Sequence, residues 1–310
     1  MDFSEWDESS LIPYFPHVSE ASAKLYARHV SWFLRWLRSK KQSPLNATSK
    51  LVAAYLDNMR KSRGWSVSTV NLCQCAIVRF YDALIESELC VENPARGVLF
   101  DRRRSRQRSA KRLPVTLFEA EEQKLLEKTR VFPRPDDMHF TTLRAYQMVR
   151  LLYFTGLRVS EAIHVTLDDL SLEAQRPVVR VIGKGDRERE VPLGDLIQQE
   201  LLAYLEGRSE FLARQQRCDP DRVNWLFCDA LGMPFTVSGV YYIVSHLFAE
   251  LGFAKNRMGP HVLRHTFATR QFRNGCPAAV VKSWLGHQSL ATTLAFYEHV
   301  AEGKGTLNPV

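Results

Sequence analysis

Residues 178–193 read Val-Val-Arg-Val-Ile-Gly-Lys-Gly-Asp-Arg-Glu-Arg-Glu-Val-Pro-Leu. The first five are β-branched apart from one arginine. Gly183-Lys184-Gly185-Asp186 carries turn chemistry, and an extended pattern resumes from Arg187 to Leu193. This spells a β-hairpin with Lys184 at its tip. The neighbouring sequence is of another kind. Helical periodicity covers about 116–129 and 139–154, Trp225-Leu226-Phe227-Cys228 suggests one more strand, and the rest of this half reads as helix. A small sheet set among helices is therefore expected from Leu113 onward.

Toward the N-terminus the pattern is helical throughout. Leu25, Tyr26, Val30, Phe33, Leu34 and Leu37 recur at three- and four-residue steps within 18–40, which makes one amphipathic helix. A second spans about 48–62, with Leu51, Val52, Tyr55, Leu56 and Met59 on its apolar side. A third, about 66–87, opens at Ser66 or Ser68 and is lined by Val70, Ile77, Phe80, Tyr81 and Leu84. Asn93-Pro94 stops the run. Residues 1–100 thus read as a small all-helical domain. Between it and the second domain, 113–310, lies Asp101 to Arg112. Seven of these twelve residues are basic (Arg102, Arg103, Arg104, Arg106, Arg108, Lys111 and Arg112) and none is a large apolar. Such a run cannot bury a core, so it is either a solvated tether or a tether lying along phosphates.

The 310 residues are 45% hydrophobic, enough for two cores. Lys and Arg number 42 against 34 Asp and Glu, a net charge of +8 that favours polyanions. The acidic start (Asp2, Glu5, Asp7, Glu8) does not resemble a signal peptide, and no apolar stretch approaches membrane-span length. Nucleic acid is the better polyanion. Six cysteines without paired zinc-site spacing are expected to be reduced and buried, in a cytoplasmic protein.

Several polar residues in the second half say little one at a time. An arginine in TGLRVSE (Arg158), a lysine between two glycines (Lys184), and His261 with Arg264 in HVLRH each have an ordinary structural explanation. So does His287 after Leu285-Gly286. Tyr297, ten residues later, shares a helical face with Leu290 and Leu294 on a segment capped by Ser289. Their residue types together suit one reaction. Displacement at a phosphodiester builds charge on the non-bridging oxygens, and two guanidiniums clamp such oxygens bidentately. Arg158 and Arg264 fit that role. The Tyr297 phenol would attack phosphorus and hold the bond as a phosphotyrosine, with His261 the candidate to accept its proton. Glu161, one helical turn after Arg158, is placed to orient a site histidine or arginine. No Walker-type loop and no acidic cluster of a two-metal nuclease occurs, so neither metal nor other cofactor is expected.

An Arg, a hairpin Lys, His-x-x-Arg, a His and a Tyr in this order resemble the tyrosine recombinase (phage integrase) family, and its Xer-like members most. The resemblance is strong over about 113–300 and rests in the first hundred residues on size, position and the arm that follows. It implies a mainly α fold with a small β-sheet: an N-terminal SAM-like helical core-binding domain, then an α+β catalytic domain. It implies a site-specific recombinase that cleaves and rejoins double-stranded DNA through a 3′-phosphotyrosyl intermediate and exchanges strands in integration, excision or dimer resolution. Lys184 would protonate the leaving 5′ oxygen, and His287 would hydrogen-bond the scissile phosphate. Partners would be a DNA site and a homo-oligomer, a tetramer in the synapse, or a related recombinase subunit. Only 13 residues follow Tyr297, which puts the usual C-terminal linkage between subunits in doubt. A type IB topoisomerase and a DNA-binding regulator on the same fold are the competing readings. The separate helical domain weighs against the first, and the complete set of six residues against the second.

Overall fold

The computed structural model describes residues 6–98, 115–132, 139–183, 187–215 and 223–287. The chain folds as two compact units, Met1–Arg112 and Leu113–Val310. In the first, a single turn of helix, α1 (Glu8–Leu11), precedes α2 (Glu20–Ser39), α3 (Ser49–Arg63) and α4 (Val67–Glu86). Each long helix begins where a hydroxyl takes an otherwise unpaired backbone N–H. Ser19 accepts from Ser22, Thr48 from Leu51 and Ser66 from Thr69. The apolar stripes read from the sequence face one another: Val30, Phe33, Leu34 and Leu37, Val52, Tyr55, Leu56 and Met59, and Val70, Ile77, Phe80, Tyr81 and Leu84 are all buried. Leu25, on the expected stripe of α2, is instead 39% exposed. The Tyr81 hydroxyl satisfies itself inside the core by donating to the Pro44 carbonyl at 2.8 Å.

The second unit contains α5 (Glu119–Lys128), α6 (Phe140–Thr155), the short α7 (Val159–Ala162), strands β1 (Leu170–Ser171), β2 (Val178–Ile182) and β3 (Glu188–Pro192), then α8 (Asp195–Ala213), α9 (Val237–Glu250), α10 (His261–Arg273) and α11 (Ala278–Leu285). The strands form one antiparallel sheet in the order β1-β2-β3. Val179 pairs with Val191 and Val181 with Arg189, and the three valines are buried on one face. The hairpin expected at 178–193 is thus present, with its tip, 184–186, outside the described residues.

Three further details differ from the sequence reading. Trp225 to Cys228 forms isolated bridges, Thr166 to Trp225 and Cys228 to Pro234, in place of a strand. Helix α5 starts at Glu119, not 116, because the Leu117 N–H goes to Thr266 Oγ1 and the Phe118 N–H to Glu121 Oε2. Among the described cysteines only Cys73 and Cys228 are buried, while Cys75 is exposed and Cys90 and Cys276 lie between. Cys75 is two residues from Cys73 on α4, so it points away from the core. Among the described residues, no helix is long and apolar enough to cross a membrane.

Helices α6 and α8 are fastened by a buried ion pair. The Arg150 guanidinium donates from two nitrogens to both carboxylate oxygens of Glu200, with Nε to Oε2 at 2.6 Å, and its third nitrogen caps the Leu126 carbonyl at 3.0 Å. This pair holds the layer against which α10 packs.

Candidate active site

The site is assembled from the turn after α6, the first turn of α10 and the turn after α11. Gly156 ends α6 in the left-handed region, at φ 63°. A Cβ there would stand 2.4 Å from Phe267 Cδ1, so only glycine fits. The chain then turns at once, and Arg158 becomes the N-cap of α7. Its backbone N–H donates to Glu161 Oε2 at 2.8 Å while its guanidinium donates to Glu161 Oε1 at 2.7 Å. The side chain of Arg158 remains 35% exposed, against 5% for Glu161.

Arg264 enters from the first turn of α10 and is buried. It donates to the Gly156 carbonyl at 2.7 Å and to the Leu285 carbonyl at 2.5 Å. Arg158 reaches the Gly286 carbonyl at 3.2 Å. A third guanidinium, Arg189 of β3, donates to the Trp284 carbonyl at 2.7 Å and to both oxygens of Glu161, at 3.0 and 2.8 Å. Three successive carbonyls at the C-terminal end of α11 therefore each hold one arginine. That is the end of a helix where carbonyls lack intrahelical partners and the dipole favours cations. His287 follows directly on this turn, half-buried.

The electrostatics follow from the count of charges. Three guanidiniums face one carboxylate. Burial pushes the Glu161 carboxyl upward, but hydrogen bonds from Arg189 and Arg158 outweigh it and hold the group below its ordinary value. Burial and the neighbouring Arg158 push Arg264 down to about 9, so it stays charged at neutral pH. His261, at the first position of α10, is lowered by burial and then by Arg264 and Arg158. His287 is pushed down to about 4 by burial, with Arg264 and Arg158 adding to it, and His265 likewise to about 4 by burial and by His261. The pocket thus presents excess positive charge and neutral imidazoles at pH 7. It is built to take an anion, and a neutral imidazole beside it can accept a proton.

Arg158, Glu161, His261, Arg264 and His287, which the sequence singled out, are brought together. Lys184, Tyr297 and the arm residues Arg102, Arg103, Arg104, Arg106, Arg108, Lys111 and Arg112 lie outside the described residues. The sequence reading missed Arg189. A signal was present: Arg189 falls two residues before Val191, on the face of β3 that carries buried valine, and arginine is rarely placed there without a partner. Asp169 caps the turn before β1, accepting from the Thr166 backbone and hydroxyl at 2.8 and 2.7 Å. Among the described residues no group of three or more His, Cys, Asp or Glu could hold a metal ion.

Comparison with known proteins extends these observations. The model of the phage integrase family matches residues 116–304, and that of the phage integrase N-terminal SAM-like domain matches 14–90. The chain is 30% identical over 287 residues to tyrosine recombinase XerC of Listeria innocua serovar 6a, covering 92% of this chain and 89% of that protein. It is 33% identical over 285 residues to tyrosine recombinase XerD of Proteus mirabilis, covering 92% and 84%. In fold it resembles the XerH site-specific recombinase bound to a palindromic difH substrate in a post-cleavage complex, with a TM-score of 0.73 at 22% identity, over 97% of this chain and 84% of that one. The Tn1549 transposon integrase in complex with transposon right-end DNA is similar with a TM-score of 0.67 at 21% identity, over 96% of both chains.

Proposed function

This chain belongs to the phage integrase family, and from that membership we propose that it cuts and rejoins DNA at Tyr297, on a phosphate held in the pocket of Arg158, His261, Arg264 and His287. The enzyme is a tyrosine recombinase, active in site-specific recombination of DNA. The assignment of its residues is carried by one observation: guanidiniums from three separate stretches of chain converge, with one carboxylate among the described residues hydrogen-bonded to them.

A scissile phosphodiester supplies the missing negative charge. Each guanidinium has five N–H donors. Arg158 spends some on Glu161 and the Gly286 carbonyl, and Arg264 some on Gly156 and Leu285. The others would take the non-bridging oxygens, whose charge grows as the phenolate adds, so the clamp tightens toward the transition state. A free phenol has a pKa near 10, so Tyr297 must lose its proton as it attacks. His261, neutral at pH 7, would receive it. Lys184 would give a proton to the leaving 5′ oxygen, and His287 would hydrogen-bond the phosphate. Bond energy is retained in the 3′-phosphotyrosine, and the reverse steps rejoin the strand. We further assign DNA binding to the helical unit 1–100 and to the basic linker 101–112, and a homotetramer, or a pairing with a related recombinase subunit, to the synapse. A protein acting on chromosomal or mobile DNA in this way would work in the cytoplasm at the nucleoid.

The test is an adduct assay on a labelled, nicked duplex carrying the enzyme's own site. Wild type should give a denaturant-resistant protein–DNA adduct, and Tyr297→Phe none while still binding the site. An adduct that survives Tyr297→Phe would show that another nucleophile acts. Strand exchange between two sites, without relaxation of a supercoiled plasmid lacking a site, would exclude the topoisomerase reading.

A further inference from the structure

We propose that Arg189 is a positioning residue of this active site, holding the phosphate-binding Arg158 through Glu161 and the His287 turn through the Trp284 carbonyl; the proposal rests on Arg158 acting as the phosphate clamp. The Arg189 side chain is 11% exposed. An arginine is kept there only if its donors are matched. All three of its nitrogens are used: Nε on the Trp284 carbonyl, and the other two on the two oxygens of Glu161. The last two form the parallel bidentate pair that fixes a carboxylate in plane and angle.

That carboxylate is shared. Oε1 of Glu161 accepts from Arg158 as well as from Arg189, and Oε2 accepts from the Arg158 backbone as well as from Arg189. With Arg189 gone, Arg158 is the one guanidinium among the described residues still hydrogen-bonded to Glu161. The carboxylate would turn to pair fully with that guanidinium and draw it off the phosphate. A second link runs through α11. Trp284 sits two residues before Gly286, whose carbonyl is the other partner of Arg158, and three before His287. Gly286, at φ 62°, closes this turn against the arginine itself, since a Cβ there would lie 3.1 Å from Arg189 Cζ. A third link is the hairpin. Arg189 pairs in register with Val181, and a Cβ on Gly183 would lie 3.2 Å from its guanidinium. One side chain thus joins the base of the hairpin to the arginine and the histidine turn. Lysine cannot replace it, because a single ammonium cannot span two carboxylate oxygens and a carbonyl in fixed geometry.

Arg189→Lys keeps the charge, and the test compares it with wild type, with Glu161→Gln and with the double variant. Each full-length protein is incubated with the nicked own-site duplex at saturating enzyme. Adduct formation is followed in a single turnover, and site affinity and melting temperature are measured separately. Arg189→Lys should form adduct about 10- to 100-fold more slowly, with affinity within about twofold of wild type and a melting temperature close to it. Because both substitutions act through one carboxylate, the double variant should be no slower than the slower single variant. An Arg189→Lys rate equal to wild type overturns the proposal. So does a loss that merely follows weakened binding or a lowered melting temperature, and so do two effects that multiply. Failure of the underlying reading looks different: wild type then forms no adduct, or Tyr297→Phe still forms one, and the positioning role falls with it.

Discussion

Gly156 shows how one residue can serve geometry and chemistry together. It reverses the chain after α6 at φ 63°, its carbonyl receives Arg264, and its missing Cβ leaves room for Phe267. Gly156→Ala should cost about 2–4 kcal/mol, from left-handed strain together with the collision. Denaturant unfolding would read this as a lower midpoint with unchanged slope, and adduct formation should fall because Arg264 is displaced. The two half-buried imidazoles near Arg264 carry a second consequence. His265 and His287 titrate near 4 in the folded protein, against an ordinary value of 6.5. Between those pH values the unfolded chain binds more protons than the folded one, so stability declines as pH falls through that window and the contribution levels off below about 4. The melting temperature should therefore drop between pH 7 and pH 5, and His265→Gln should flatten that dependence. An unchanged slope in that variant would show that carboxylates elsewhere dominate the acid response.

Elements hold this site through their ends and their buried faces. The C-terminus of α11 offers three carbonyls to three arginines, and α6 and α8 share the Arg150–Glu200 pair, with side chains 4% and 1% exposed. Burial raises the Glu200 carboxyl in spite of Arg150, a sign of how little water reaches it. Arg150→Met should cost about 3–5 kcal/mol by stranding that carboxylate, whereas the double variant Arg150→Met, Glu200→Leu should recover most of the loss. A urea-unfolding cycle over the four proteins measures this. Such pairings explain what sequence could and could not disclose. The long helices were legible because apolar residues at three- and four-residue steps have one way to bury themselves, and Ser66 marks a start where capping chemistry demands a hydroxyl. The hairpin was legible from Val179, Val181 and Val191 on a two-residue period. The bridges at Trp225 and Cys228 were not, because each is a single pairing, with Thr166 and with Pro234, too short to leave a periodic pattern. Arg158, Glu161, His261, Arg264 and His287 could be picked out because their types and order resemble the tyrosine recombinase pattern. Arg189 escaped because its partners are a side chain from another element and a backbone carbonyl, and a carbonyl leaves no mark in sequence.

For the molecule as a whole, charge sets how it meets DNA. The net charge of +8 is unevenly spread along the sequence, with seven basic residues crowded into 101–112. On the proposed function, a pocket for one phosphate would contribute little to the affinity for a long site, since binding strength to duplex DNA comes mainly from many phosphates neutralised at once, with release of their counterions. The arm is the densest source of such charge in the chain. If it lies along the backbone, replacing Arg102, Arg103 and Arg104 with Gln should weaken binding to any sequence about equally. The plot of log affinity against log salt should become shallower by about 0.9 for each phosphate that is no longer neutralised. Fluorescence anisotropy with own-site and unrelated duplexes between about 50 and 200 mM salt reads both effects. If the arm is only a tether, the slope stays at its wild-type value. The adduct rate at saturating DNA separates the two roles of charge in this enzyme. Arm substitutions should leave it unchanged, because they act before the phosphate enters the pocket. Arg158→Gln or Arg264→Gln should instead lower it, while shifting the salt slope by no more than the share of about one phosphate.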